Sequence, residues 1–269
     1  MLQLCENYFN SNLTAPNYYQ MKKVFLSCLA VAALATACKK DKDDDGILKG
    51  NVQQLYNGKA WTWSKLKTDG TPEKLAISIS DGALNSVPIN SNHTGHENHL
   101  VLSLNEKHGT PFNHVLLDWN PSGHEGPMYM LPHFDFHYYF TTPAEVDAVV
   151  EGPAMNKFPD AAYLPAGHIA PVPGVPKMGM HWLDPTSGEL GGGQVFTQTF
   201  IYGSYDGKVT FMEPMITKSF LDTTTNFNRP IPQPVKFQKA GYYPTKVNIK
   251  KHDGVTDIIM EDFVQRQAS

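Results

Sequence analysis

The residues best suited to chemistry crowd into one stretch. Between Gly123 and Phe140 the chain reads GHEGPMYMLPHFDFHYYF, with three histidines, two carboxylates and six aromatic residues. If PHFDFHYYF is a strand, alternation puts His133, Asp135 and His137 on one face and Phe134, Phe136 and Tyr138 on the other. The aromatic face is core, and the polar face points to water or into a cavity. Same-face neighbours on a strand stand about 6.6 Å apart. An ion held at roughly 2.0–2.2 Å by imidazole or carboxylate fits between two of them. His133 and His137 are about 13 Å apart along a straight strand and cannot share one ion without a bulge. The local pairs are therefore His133 with Asp135, or Asp135 with His137.

Further ligands must come from elsewhere. His181 in MGMHWLD and Glu213 in VTFMEP have the right chemistry, while His124 and Glu125 in NPSGHEGP sit in the turn before the central strand, as outer support. Two or three imidazoles with one or two carboxylates suit one divalent zinc, iron or manganese. A polar cluster that only ties loops together uses the same residue types and stands as the rival. The order His133-x-Asp135 followed by His181 is similar to the facial triad of non-haem iron oxygenases. No basic residue follows His181 where the 2-oxoglutarate-dependent members place one, and the cupin pattern of His-x-His with a nearby glutamate is not met.

The other histidines point less firmly to a site. HTGHENH (His93, His96, His99) reads as a solvated loop, and His108 and His252 sit in turns. His114 fits the central face or a half-exposed strand. AWTW and GYYP read as core or sandwich edge. Nucleophile elbows, phosphate-binding glycine loops and dinucleotide fingerprints are absent. The net charge is −4 and the chain has only two arginines, Arg229 and Arg266. No basic patch exists for nucleic acid, which is excluded as a partner.

The elements that must position these residues are mostly strands. Asp69-Gly70, His108-Gly109, Asp206-Gly207 and Asp253-Gly254 each divide a pair of alternating runs, as in a hairpin. TTPAEVDAVVEG predicts a helix with Thr142 as N-cap, Pro143 at its first position and Glu145 closing a capping box. Val146, Val149 and Val150 form its apolar face and Gly152 its stop. A second helix is expected near Pro214–Leu221. The stretch 153–193 is a long proline- and glycine-rich connection whose end, at His181-Trp182, is ordered. The fold class is mainly β: an antiparallel β-sandwich or barrel-like single domain with one or two short helices, spanning 51–269.

The N-terminal region addresses location. In 21–37 a basic pair, Lys22 and Lys23, precedes an apolar run too short to span a bilayer, the outline of a signal peptide. LATAC resembles a bacterial lipobox with Cys38 as the lipidated residue, although Leu34 lies one place further out than in the commonest pattern. Cleavage near Ala37 with a free Cys38 is the alternative. KKDKDDDG follows, so 38–50 reads as lipidated cysteine and charged tether. Met21 then looks like the true start, and 1–20 an extension from a start site set too early. Cys5, Cys28 and Cys38 are all in this leader. The body has neither disulfide nor thiolate chemistry.

LDWNPSGHEG, PHFDFHYY, VPKMGMHW and IYGSYDGKVTFMEPMITKSFL, in that order, resemble a group of secreted or lipid-anchored bacterial proteins of unassigned function. The resemblance spans about Lys59 to Leu221, with Gly126 where that group has proline. It implies a single β-rich domain and no particular activity. Three functions are compatible with these readings. The first is an envelope lipoprotein, at the outer membrane or cell surface, whose His/Asp/Glu pocket binds a small molecule or partner, with or without a metal. The second is a metal-dependent hydrolase or oxygenase-like enzyme with Glu213 or Asp135 as general base. The third is a structural envelope protein.

Overall fold

Paired positive-φ residues set the hairpins. Asp206-Gly207 and Asp253-Gly254 both have φ between +46° and +76° at each position, the conformation that lets a two-residue turn follow the twist of its strands. A computed structural model describes residues 46–89, 99–124 and 128–269. Cys38 and the leader, His93, His96, Glu125 and Gly126 lie outside the described residues.

In chain order the elements are β1 (Ile47–Leu55), β2 (Gly58–Leu66), β3 (Pro72–Ser80), α1 (Asp81–Leu84), β4 (His99–Ser103), β5 (His114–Asn120), β6 (His133–Tyr139) and α2 (Pro143–Asp147). There follow β7 (Met180–Trp182), α3 (Gly188–Gly191), β8 (Gln198–Tyr205), β9 (Lys208–Thr217), α4 (Lys218–Thr223), β10 (Asn226–Pro230), β11 (Gly241–Tyr243), β12 (Lys246–His252), β13 (Val255–Glu261) and β14 (Val264–Arg266). β1 begins inside the span that composition assigns to the tether.

Two six-stranded sheets result. The first has the order β1-β2-β3-β13-β12-β10, the second β4-β5-β6-β9-β8-β7, and β11 and β14 form a small ribbon. Every pairing between these strands is antiparallel. Both large sheets are open at their edges, so the architecture is a sandwich rather than a barrel. The four expected hairpins are present as β2–β3, β4–β5, β8–β9 and β12–β13.

One core joins the sheets. Leu75, Ile77, Ile258 and Met260 from the first meet Trp119, Phe134, Phe136 and Tyr138 from the second. Each fully buried side chain of this kind contributes about 1.5–3 kcal/mol by leaving water.

The opposite face of the second sheet is also covered. Val146 and Met178 pack on Tyr139 and Phe211, and Leu183 and Phe196 pack on Ile201 and Met215. The long connection between β6 and β8 is thus a roof over this face, except for β7, which joins the sheet as its edge strand beside β8.

The helices differ in detail from expectation. α2 has its capping box, with Thr142 Oγ1 accepting from Glu145 N and the Glu145 carboxylate accepting from Thr142 N. It ends at Asp147 with Ala148 as C-cap, well before Gly152, and Val150 is exposed. Once Val149 has turned into the roof, nothing holds a further turn. Pro214 belongs to β9, and the following helix, α4, starts only at Lys218 because Thr217 caps it from Oγ1. Among the described residues no helix is long and apolar enough to cross a membrane.

Candidate metal centre

β6 lies between β5 and β9, and register decides which side chains meet. Asp118 of β5 pairs with Asp135, Leu116 with His137 and Asn120 with His133. On the other flank His133 pairs with Thr217 and Asp135 with Met215. Two pairings further out, Gly203 of β8 stands between Phe211 of β9 and His181 of β7. Alternation therefore carries His133, Asp135, His137, Asp118 and Glu213 onto the roofed face. All five are essentially buried, at 0–1 % exposure. The polar face meets neither open water nor a broad cavity, because the roof closes over it.

Two groups of ligand atoms form there. In the first, one donor or acceptor atom from each of His124, His133 and Asp135 lies within 4.8 Å of the others. His124 Nε2 is 3.0 Å from Asp135 Oδ2, and His133 Nε2 is 3.2 Å from Asp135 Oδ1. Asn120 Nδ2 donates to Asp135 Oδ2 at 2.7 Å, fixing the carboxylate. Gly123, at φ +71°, allows the approach of His124: a Cβ there would stand 2.2 Å from Tyr129 O, the atom that accepts from His124 N.

In the second group His137, His181 and Glu213 meet under the same 4.8 Å limit. His137 Nε2 is 3.4 Å from Glu213 Oε2, and its Nδ1 is 3.3 Å from Asp118 Oδ2. Asp118 is held in turn by the His99 ring. The ring of Phe211 packs against both His137 and His181, at centroid distances of 5.0 and 5.4 Å. It can do so because residue 203 is glycine: a Cβ there would lie 1.9 Å from the Phe211 ring.

Both groups bring two imidazoles and one carboxylate to a point, the composition of zinc and non-haem iron sites. The five residues singled out in the sequence do not share one hollow. They divide as His133 and Asp135 against His137, His181 and Glu213, because an extended β6 separates its two histidines by four residues. Of the two local pairs the sequence allows, His133 with Asp135 forms. His137 instead forms ion pairs with Asp118 and Glu213.

The electrostatics follow from burial and partners. Burial alone would raise Asp118 and Asp135, but adjacent imidazoles outweigh it: His137 and His99 lower Asp118, and His133 and His124 hold Asp135 well below the usual range. Burial would likewise lower both strand histidines, yet Asp135 raises His133, and Glu213 with Asp118 brings His137 to about 9. Glu213 goes the other way. Its burial, reinforced by Asp135, pushes it up to about 8 against the pull of His137.

Three parts of this site differ from the sequence expectation. Asp118 is not among the expected residues, although HVLLDWN alternates polar residues on the same face at His114, Asp118 and Asn120. His124, expected as outer support, reaches Asp135 directly. His99, expected in a solvated loop, begins β4 and meets Asp118 across the pair. His114 does join the central face, stacked on Tyr139 at 5.0 Å. Comparison of the chain with models of protein families, with curated proteins and with solved structures found no match.

Proposed function

We propose that this chain is a lipid-anchored protein of a bacterial cell envelope whose sandwich binds divalent metal, one ion at each three-residue group. A small-molecule or protein ligand reaches the ions from the side of His124 and His181, the two half-buried imidazoles. The reading rests on one observation. His133 Nδ1 lies 2.6 Å from Leu131 O, so Nδ1 carries the proton and, in the neutral ring, Nε2 presents a lone pair. That lone pair faces Asp135 Oδ1 at 3.2 Å, and neither atom has a hydrogen-bond partner. Two acceptors buried face to face are costly unless a proton or a metal ion lies between them; the proton that raises His133 and a bound ion compete for this place. In the second group His137 Nε2 and Glu213 Oε2 are also without hydrogen bonds, and His137 Nδ1 lies 3.3 Å from Asp118 Oδ2. There Asp118, behind His137 Nδ1, orients the ring as carboxylates commonly do for metal-bound imidazoles.

Zinc, iron or manganese is the expected metal, from the mixed nitrogen and oxygen donors. The test is thermal unfolding of untagged protein stripped by chelator and then reloaded with each ion. Binding at about one hundred times Kd adds about 2.7 kcal/mol, a rise of roughly 5–10 °C in a domain of this size. An unchanged midpoint with every ion would leave the residues as a polar cluster tying the roof to the sheet. The lipid anchor rests on the 21–38 segment and its charged tether. Mass spectrometry of protein from the membrane fraction should find an acylated Cys38 at the N-terminus; a free thiol after cleavage near Ala37 would remove the anchor from the proposal.

A second reading has one feature in its favour. Three protein ligands leave an open position on each ion for water or substrate. A metal-dependent hydrolase or oxygenase would use it, the ion polarising substrate or activating water.

A further inference from the structure

A polar cleft of about 360 Å³ opens beside the first metal group, lined by Asp184, Ser187, Glu189, Gln194, Gln198 and Arg229 among others. It is separated from that group by aromatic rings: Tyr129 packs on Phe196 at 4.9 Å, and Phe196 on His133 at 5.4 Å. Its walls come from both sheets, since Arg229 of β10 donates from Nη1 to Gln198 Oε1 of β8 at 2.9 Å. Arg229 is half-buried; Asp184 and Glu189 act on it through space, but it forms no direct ion pair among the described residues, and the chain has only one other arginine. A desolvated guanidinium fork with a single hydrogen bond is a strong receptor for a carboxylate.

The opposite charge is close by. Asp184 Oδ1 accepts from Thr186 N and Oγ1 at 2.8 and 2.7 Å, which fixes the carboxylate and leaves Oδ2 as an acceptor. Glu189 Oε1 lies 3.5 Å from the hydroxyl of Tyr129. Ser187 Oγ is buried without a partner. The cleft thus offers one cationic fork and two carboxylates, with hydroxyl and amide groups between them. A ligand bearing only one sign of charge satisfies half of this set.

We propose that the cleft binds a small zwitterion carrying a free carboxylate and a free ammonium group, as in an amino acid or a short peptide. The carboxylate docks on Arg229. The ammonium, with three donors, lies between Asp184 and Glu189. The volume is that of a small-molecule site. Neither step requires metal, so this inference stands or falls apart from the metal reading.

The test uses the full chain, by thermal shift and then calorimetry, against the common L-amino acids and dialanine. The best binder is then compared with its N-acetyl and carboxamide forms, which remove one charge each, and with glucose. Each blocked form should bind at least about tenfold more weakly, as expected for loss of a charge-assisted contact. The amino acids and dialanine distinguish the free compound from a peptide as the source. Arg229→Gln should abolish binding while Asp184→Asn weakens it. If Arg229→Gln fails to fold without its tie to Gln198, the blocked ligands on the unmodified chain still decide. Absence of binding across the panel, equal binding of blocked and free forms, or tighter binding of glucose would overturn the proposal.

Discussion

The two faces of β6 are equally buried and held by different physics. Phe134, Phe136 and Tyr138 lie at 0 % exposure against the first sheet; His133, Asp135 and His137 lie at 0–1 % beneath the roof. Apolar burial is favourable by itself and needs only shape. Polar burial is unfavourable until each atom has a partner. On the aromatic side every contact is complete in the protein alone. On the polar side six atoms of Asp118, His133, Asp135, His137 and Glu213 lack hydrogen bonds although they face one another. One strand therefore has a finished face and a face that protons or metal ions would complete.

Substitutions should separate the two. Phe136→Ala should cost about 3–5 kcal/mol in urea unfolding, equally with and without metal. A cost that depended on metal would join the faces energetically.

The pH response comes next in size. In the metal-free chain His137 has a raised pKa, about 9 against 6.5 unfolded. Its contribution, about 3 kcal/mol, is fully present below pH 6.5 and lost as the pH rises through 9. Glu213, raised to about 8, acts in the same direction, its contribution falling away between pH 4.5 and 8. Bound metal requires both groups deprotonated, so loading should flatten or reverse this decline. Parallel stability curves between pH 6 and 9, with chelator and with metal, would contradict that.

Glu213→Gln takes away one of the carboxylates that raise His137 and should cost the chelated protein about 1–3 kcal/mol near neutral pH. It should also remove one equivalent of metal. Smallest in stability are His124→Ala and His181→Ala, each below about 1 kcal/mol for a half-buried ring, with one equivalent lost from its own group. Loss of both equivalents from either variant would show a single coupled centre rather than two.

Much of the frame is legible in the amino-acid sequence. Asp-Gly pairs between alternating runs locate hairpins because the turn's φ requirement is local, and the aromatic side of β6 follows from period two. Helix lengths are not legible, since α2 stops where its tertiary packing stops. The site is half legible. Spacing along one strand excludes a shared ion for His133 and His137, but no local pattern tells that Asp118 faces Asp135 or that His99 reaches Asp118. Those meetings depend on the registers of β4, β5 and β6, which turns of several residues do not specify.

The most direct measurement is elemental analysis of chain purified without a histidine tag, together with His133→Ala and His137→Ala variants. The account predicts about two equivalents of zinc, iron or manganese in the unmodified protein and about one in each variant, as expected for three-ligand sites that each lose a ligand. Negligible metal in a chain that also takes up none when reloaded, or a content unchanged by either substitution, would contradict it.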